Sequence, residues 1–289
     1  MTTRAAGLWA DCSSVAVGGR PIAADRDTDG VAAYPGVVGF DVGADSYARF
    51  MGRFSEPLAA QFVQLADVRA GQRVLDVGCG PGALTAELVA RLGSDAVWAI
   101  DPSALFVAAI CDRFPQVSVQ RGVAEQLPFA DRTFDAALAQ LVVQFMADPA
   151  GGLAEMARVT RRGGLVAACV WDHAGGAGPL AAFWQAVHDL DPAEGGEAGL
   201  GGTREGDLAD LCATAGLHHI EAGSLTVQIR FATFTDWWKP FTLGVGPAGA
   251  YVSRLGRTQR NALRTRCAQL LPPAPFHIRA TAWSVRAQA

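Results

Sequence analysis

The stretch Val74-Leu75-Asp76-Val77-Gly78-Cys79-Gly80-Pro81-Gly82 decides the fold. Branched apolar residues from Arg73 to Val77 predict a short strand, a glycine-rich turn follows, and Ala83 to Leu92 sets Leu84, Leu88 and Leu92 on one helical face before Gly93. Glycines at such a turn let a ligand approach the backbone closely, and the helix start offers N–H groups. Gly78-x-Gly80-x-x-Ala83 satisfies the dinucleotide fingerprint, which is a weak pattern alone. Asp76 argues against a phosphate. A carboxylate ~4 Å from a pyrophosphate is repelled by on the order of 4 kcal/mol at an effective dielectric near 20. Pro81 has no N–H to donate. A ligand carrying an ammonium and a sulfonium suits the carboxylate instead.

Outward from this turn the pattern alternates. Asp95 to Ile100 reads as a second strand, ending at Asp101-Pro102, where a carboxylate can take both hydroxyls of a ribose. Ser103 to Phe114 reads as a helix and Val117 to Arg121 as a third strand. Phe134 to Leu141 is a fourth strand. Leu153 to Thr160 is a helix core stopped by Arg161-Arg162-Gly163-Gly164, and Leu165 to Trp171 is a fifth strand, apolar throughout. Strands alternating with helices predict a parallel sheet covered on both faces. Upstream, Pro57 to Asp67 predicts a helix with Leu58, Phe62 and Leu65 inward. Downstream, Leu180 to Leu190 and Glu205 to Ala215 read as helices, Ile220 to Phe231 and Arg279 to Arg286 as strands, and Asp191 to Gly202 as a loop.

Asp76-x-Gly78-x-Gly80-x-Gly82, then Asp101, then Gly122-Val123-Ala124-Glu125-Gln126-Leu127-Pro128-Phe129, resembles the class I S-adenosylmethionine-dependent methyltransferases. The nearest subgroup is the type-11 domain of the ubiquinone and menaquinone biosynthesis enzymes. The resemblance runs from about Tyr47 to Trp171. It implies an α/β, Rossmann-like, doubly wound sheet of seven strands in the order 3-2-1-4-5-7-6, the last antiparallel, with helices on both faces and a small cap. Residues 1–44 are expected to be an irregular arm, 45–289 the methyltransferase domain, and 234–275 a cap insert.

The resemblance also implies roles. Gly78, Cys79, Gly80 and Gly82 would line the methionine part of S-adenosylmethionine, with Asp76 near its amino group and Gln140 approaching the same end. Asp101 would hold the ribose, with Pro102 and Ser103 beside it. Ala124 and Glu125 would flank the adenine. Val123 stands where many relatives carry an aspartate for the adenine amine, so Glu125 or a backbone carbonyl would have to substitute. Tyr47 and Arg53 match an N-terminal lid that could touch the cofactor. S-adenosyl-L-homocysteine would be the product.

Methyl transfer is a displacement on an already activated donor, so alignment and a dry pocket matter most. A base is needed only where the acceptor must lose a proton. His173, just after the fifth strand, is the candidate base, against the plainer reading of a loop histidine. Trp171, Trp237, Trp238 and Phe241 are the candidate acceptor pocket, against packing on the sheet edge.

Composition bounds the rest. The chain has 289 residues, half of them hydrophobic, and a formal charge of −4, which excludes a disordered chain. No apolar run reaches the ~18 residues needed to span a bilayer. The N-terminus carries Arg4 without a sustained apolar core, so no secretory signal is expected. Six scattered cysteines and five histidines form no metal-ligand spacing, so reduced thiols and a cytoplasmic location are expected and a metal is not. From Trp237 onward there are eight basic residues and no acidic one. Arg254, Arg257, Arg260 and Arg264 could form a stripe for an RNA or protein substrate, but pairing with the acidic stretch Asp189 to Asp210, within the chain or across a homodimer, is favoured. The function expected is methyl transfer to an O, N or C atom of a small organic acceptor. The alternatives are an RNA or protein methyltransferase, or a non-catalytic S-adenosylmethionine-binding protein.

Overall fold

A computed structural model describes residues 43–289. Most of the expected arm, 1–44, lies outside the described residues. Among these, one mixed sheet of seven strands forms: β1 Val74–Val77, β2 Val97–Asp101, β3 Ser118–Arg121, β4 Phe134–Gln140, β5 Thr160–Trp171, β6 His218–Phe231 and β7 Phe276–Gln288. Their order is β3-β2-β1-β4-β5-β7-β6, as expected. Neighbours from β3 to β5 pair in parallel, and β7 runs antiparallel to both β5 and β6.

Alternation along the central strands feeds two cores, one per face. Val74, Ala136 and Leu138 join Leu58, Phe62, Leu84 and Leu88 on one side. Leu75, Val77 and Ala137 join Leu153, Met156, Leu208 and Cys212 on the other. The first side is covered by α2 Arg53–Ala66 and α3 Ala83–Leu92, the second by α5 Pro149–Val159 and α7 Asp207–Thr214. Fully burying a side chain such as Leu58 or Phe62 is worth roughly 1.5–3 kcal/mol, which outweighs modest local helix preferences.

Two boundaries differ from the sequence reading. The helix expected to begin at Pro57 continues α1 Ala44–Tyr47 through a π turn at Ala48–Gly52 into α2, with Pro57 inside. Phe50, Met51 and Phe54 are buried ahead of the proline, so packing overrides its usual place at a helix start. Arg161–Gly164, which reads in sequence as the stop between a helix and a strand beginning at Leu165, belongs to β5 as a bulge. Thr160 pairs with Phe134, yet the next register pair is Leu165 with Ala136. Gly163 has φ +70°, and a Cβ on Gly164 would lie 2.7 Å from the Asp135 carbonyl oxygen.

The segment between β6 and β7 is helical: α8 Phe234–Trp238, a 3-10 turn at Lys239–Leu243, α9 Gly246–Arg254 and α10 Arg257–Leu270. It packs against α6 Ala181–Leu190. Phe241 stacks on Phe183 at 4.5 Å between ring centroids and meets Phe50 edge-on.

Candidate active site

The site begins where β1 ends. Gly78, Gly80 and Gly82 have φ of +70°, +53° and +94°, conformations that strain any residue with a Cβ. At Gly78 a Cβ would collide with Val142, and at Gly82 it would stand 2.6 Å from Ile110 Cδ1. The loop's own donors are engaged. The Gly78 and Cys79 N–H groups donate to the Ile100 carbonyl at 2.8 and 3.1 Å, Gly80 N–H donates to Asp101 Oδ2 at 2.8 Å, and Gly82 N–H donates to the Cys79 carbonyl at 3.0 Å. Pro81 has none to give. A phosphate cradle needs free N–H groups, and positions 78 to 82 offer none.

Asp76 lies within β1 and Asp101 ends β2. Asp76 is 1% exposed, and Thr85 Oγ1 donates to its Oδ2 at 2.6 Å. Burial pushes its carboxyl up to about 7 despite that bond, with Asp101 adding to the rise. Asp101 accepts Gly80 N–H at Oδ2 and Ser103 N–H at Oδ1, both at 2.8 Å. Burial still lifts it to about 6. Two desolvated acids side by side, with no cation against them among the described residues, make a pocket in which a bound cation would favour ionisation and a bound anion would oppose it.

An open cleft runs from this point along the ends of β1, β2 and β4. Tyr47, Gly78, Gly80, Asp101, Pro102, Ser103, Ala124, Glu125 and Gln140 line it. Asp76 and Cys79 line a smaller pocket at the loop end, which again includes Tyr47, Gly80 and Gln140. There, Ser55 Oγ and Gln140 Oε1 are buried with no hydrogen-bond partner, while Gln140 Nε2 donates to the Ser55 carbonyl at 3.0 Å. Gln140 Oε1 and Asp76 are acceptors and Ser55 Oγ can accept or donate, a set that an α-ammonium group would satisfy. Tyr47, packed edge-on to Phe106, borders both spaces. Burial and the nearby Asp101 hold its hydroxyl protonated far above the usual tyrosine range. The Cys79 thiol is likewise pushed well up by burial, which fits a packing role rather than a nucleophile.

Several expected residues stand elsewhere. Arg53 lines neither space. Its guanidinium lies 4.3 Å over the Phe231 ring and donates to the Arg230 carbonyl at 3.1 Å, so α2's packing on β6 carries it away from the cleft. Gly82 is behind the loop, against Ile110 and Phe114. Glu125 borders the cleft, yet its Oε1 accepts the Ala147 N–H at 2.7 Å and so ties two loops together instead of projecting free toward a base.

Beyond the cleft lies an inner cavity lined by Tyr47, Phe50, Met51, Leu141, Gln144, Phe145, Trp171, His173, Leu180 and Glu197, with Val245–Ala248 from the segment before β7. Trp171 lines it. Trp237, Trp238 and Phe241 do not: they are 3%, 6% and 2% exposed and stack among Phe183, Phe234 and Phe50 as core. An aromatic cluster in a covering segment is its own hydrophobic center, so the lining falls to the small residues just after it. His173 faces this cavity, its side chain 4% exposed, with Nε2 4.0 Å from Glu197 Oε1. Burial lowers its pKa against the opposing pull of Glu197 and Asp172, which keeps the imidazole neutral near pH 7.

Sequence reasoning missed Gln144, Phe145 and Glu197. Phe145 belongs to a short apolar run after β4 with no motif, and Glu197 sits in the glycine-rich 191–202 stretch, which reads in sequence only as a loop. The basic stripe is largely engaged inside the chain. Arg254 pairs with Glu194 at 3.1 Å and Arg266 with Asp189 at 2.6 Å, Arg260 donates to the Val252 and Leu255 carbonyls, and Arg264 lies over Phe234. Among the described residues no His/Cys/Asp/Glu group could hold a metal, and no helix is long and apolar enough to cross a membrane.

The sheet order and the glycine turn define a Rossmann-like methyltransferase fold. Residues 75–168 match the model of a methyltransferase domain. An uncharacterized methyltransferase of Mycobacterium tuberculosis is 40% identical over 103 residues, 36% of this chain and 41% of its own length. The demethylmenaquinone methyltransferase of Paenarthrobacter aurescens is 33% identical over 126 residues, 44% and 47% respectively. A phosphoethanolamine N-methyltransferase of Haemonchus contortus, solved with S-adenosylhomocysteine, superposes with a TM-score of 0.54 at 16% identity, covering 86% of this chain and 57% of that one. The chain spans about half the length, or less, of the curated relatives it matches. Residues 75–168 are thus similar to a methyltransferase domain, on a fold shared with solved methyltransferase structures.

Proposed function

We propose that the protein transfers the methyl group of S-adenosylmethionine to a small organic acceptor held in the inner cavity. The observation that carries this is the glycine loop with every N–H engaged beside two buried, uncompensated carboxylates, a site that favours a cation and offers nothing to a pyrophosphate. When bound, S-adenosylmethionine supplies a methyl group already activated on a sulfonium. Asp76, Ser55 and Gln140 would hold its amino acid end, with Gly78, Cys79 and Gly80 forming the floor. Asp101 would take the ribose hydroxyls on its remaining lone pairs, with Pro102 and Ser103 beside it. Ala124 and Val123 would flank the adenine, and Tyr47 would cover the center. The helical segment 234–275 acts as a cap that keeps water from the acceptor.

Trp171, Phe50 and Phe145 make the acceptor wall apolar. No lysine or arginine lines the cavity among the described residues, so a phosphorylated acceptor such as phosphoethanolamine would find no counter-charge. Calorimetry with S-adenosylmethionine and with NAD tests the reading. Binding of the first alone supports it; binding of NAD with no response to S-adenosylmethionine overturns it.

A further inference from the structure

An outer cavity opens on the far side of His173, lined by Ala174, Ala181, Gln185, His188 and Ala198. His173 and Glu197 are the two residues that border both it and the inner cavity. The wall between acceptor space and outer space is thus an imidazole beside a carboxylate. Glu197 is itself fixed, because Trp184 Nε1–H donates to its Oε2 at 2.8 Å. Its Oε1 is the oxygen 4.0 Å from His173 Nε2. A Cβ on Gly178 would stand 3.2 Å from His173 Nδ1, so the glycine leaves the ring its place. On the inner side, Trp171 Nε1 and Gln144 Oε1 are buried with no partner, one donor and one acceptor awaiting a polar group in an otherwise apolar space.

We propose that the acceptor is a small, uncharged, flat molecule bearing an acidic, phenol-type hydroxyl, that His173 removes the hydroxyl proton, and that the outer cavity carries that proton to solvent, with Glu197 as the positioning residue. This rests on the methyl-transfer reading. The acceptor oxygen forms its bond to the methyl carbon as the carbon–sulfur bond breaks, and the sulfur keeps that electron pair. The hydroxyl proton goes to His173, which returns to neutral by releasing it outward. Trp171 and Gln144 supply the unpaired donor and acceptor that orient a hydroxylated ring, and Tyr47, Phe50 and Phe145 supply its faces. A neutral, buried imidazole is a weak base, which matches an acidic hydroxyl better than an aliphatic alcohol. The ionisable groups around the ring are Asp172 on its own strand end, Glu197 from the loop, His188 from α6 across the outer cavity and Tyr47 across the inner one. Asp172 already accepts the Gly175 N–H at 2.7 Å, which leaves Glu197 as the carboxylate within reach of Nε2.

The test uses 4-nitrophenol as a colored probe on the full chain in the presence of S-adenosylhomocysteine, reading affinity and the ratio of bound phenolate to phenol across pH. The expected result is that the wild type binds and ionises the probe, that His173→Gln keeps affinity within about threefold and lowers the ionisation ratio at least tenfold, and that Glu197→Gln lowers it severalfold, with Glu197→Asp partly restoring it. Ala181→Phe, which narrows the outer cavity, is expected to leave affinity and the equilibrium ratio unchanged and to slow ionisation of the bound probe after a pH jump severalfold; an unchanged rate overturns the outer cavity as the proton's exit. The proposal is overturned if His173→Gln ionises the probe as the wild type does, or if the probe does not bind while S-adenosylmethionine does. Failure of S-adenosylmethionine itself to bind removes the methyl-transfer reading and this one with it.

Discussion

The cleft and the inner cavity lie side by side and share Tyr47, Leu141 and Phe145, yet they are built in different ways. The cleft is a product of backbone: glycines with positive φ, strand ends and an aspartate, Asp101, whose two oxygens are fixed by neighbouring N–H groups. The inner cavity is a product of side chains from remote segments: the first helix, the run after β4, the end of β5, the 191–202 loop and Val245–Ala248. A backbone-built site leaves a spaced signature in sequence, because only certain residue types can make its turns. A side-chain-built site leaves none, because any apolar residue of the right size will serve.

That contrast can be broken, and the largest effect should come from the aromatic cluster. Phe241→Ala is expected to destabilise the fold by about 3–5 kcal/mol, read in urea denaturation, because it removes a buried ring from a stack. Acceptor specificity should not change in any variant that still folds. A change in specificity without loss of stability would return Phe241 to the pocket. Next, Asp101→Ala should weaken S-adenosylmethionine binding about tenfold or more, through unpaired ribose hydroxyls at roughly 1–3 kcal/mol each. Calorimetry that gives an unaltered Kd would take Asp101 out of the site.

A pH effect of up to about tenfold per unit follows from the two acids. Asp76 and Asp101 keep their protons up to about pH 7 and 6 in the fold, whereas the unfolded chain releases them near 4. Their contribution to stability is therefore fully present below about pH 4 and is lost as pH rises through 6 to 7. A cationic ligand draws both pKa values down, so its affinity should climb over the same interval. Asp76→Asn should flatten that climb, and a flat profile in the wild type would contradict the picture of uncompensated carboxylates. The smallest effect belongs to Arg53→Ala, which loses a stack on Phe231 worth about 0.5–1 kcal/mol. Cofactor affinity should stay within twofold by the same calorimetry. A larger drop would put Arg53 back at the lid.

Legibility follows the same divide. The strand order, the glycine loop and the places of Asp76, Asp101 and Gln140 are readable because turn chemistry and strand ends constrain residue type. Arg53 is not: one helix continuing through Pro57 rotates its side chain onto β6, and only tertiary packing shows it. Trp237, Trp238 and Phe241 mislead for a related reason. Hydrophobic size marks burial, and burial under a covering segment looks in sequence like a pocket. Glu197 is legible only once its loop is seen folding under α6 to receive the Trp184 indole.

Leu141 brings these strands together. It follows β4 with φ +62°, a left-handed backbone costing a non-glycine residue on the order of 1–3 kcal/mol, and its side chain borders the cleft, the loop pocket and the inner cavity at once. The main chain at this position asks for glycine, while the three chambers ask for a bulky partition. Robustness and selectivity therefore pull in opposite directions at a single codon, and a thermostabilising substitution there would be bought with leakage between donor and acceptor.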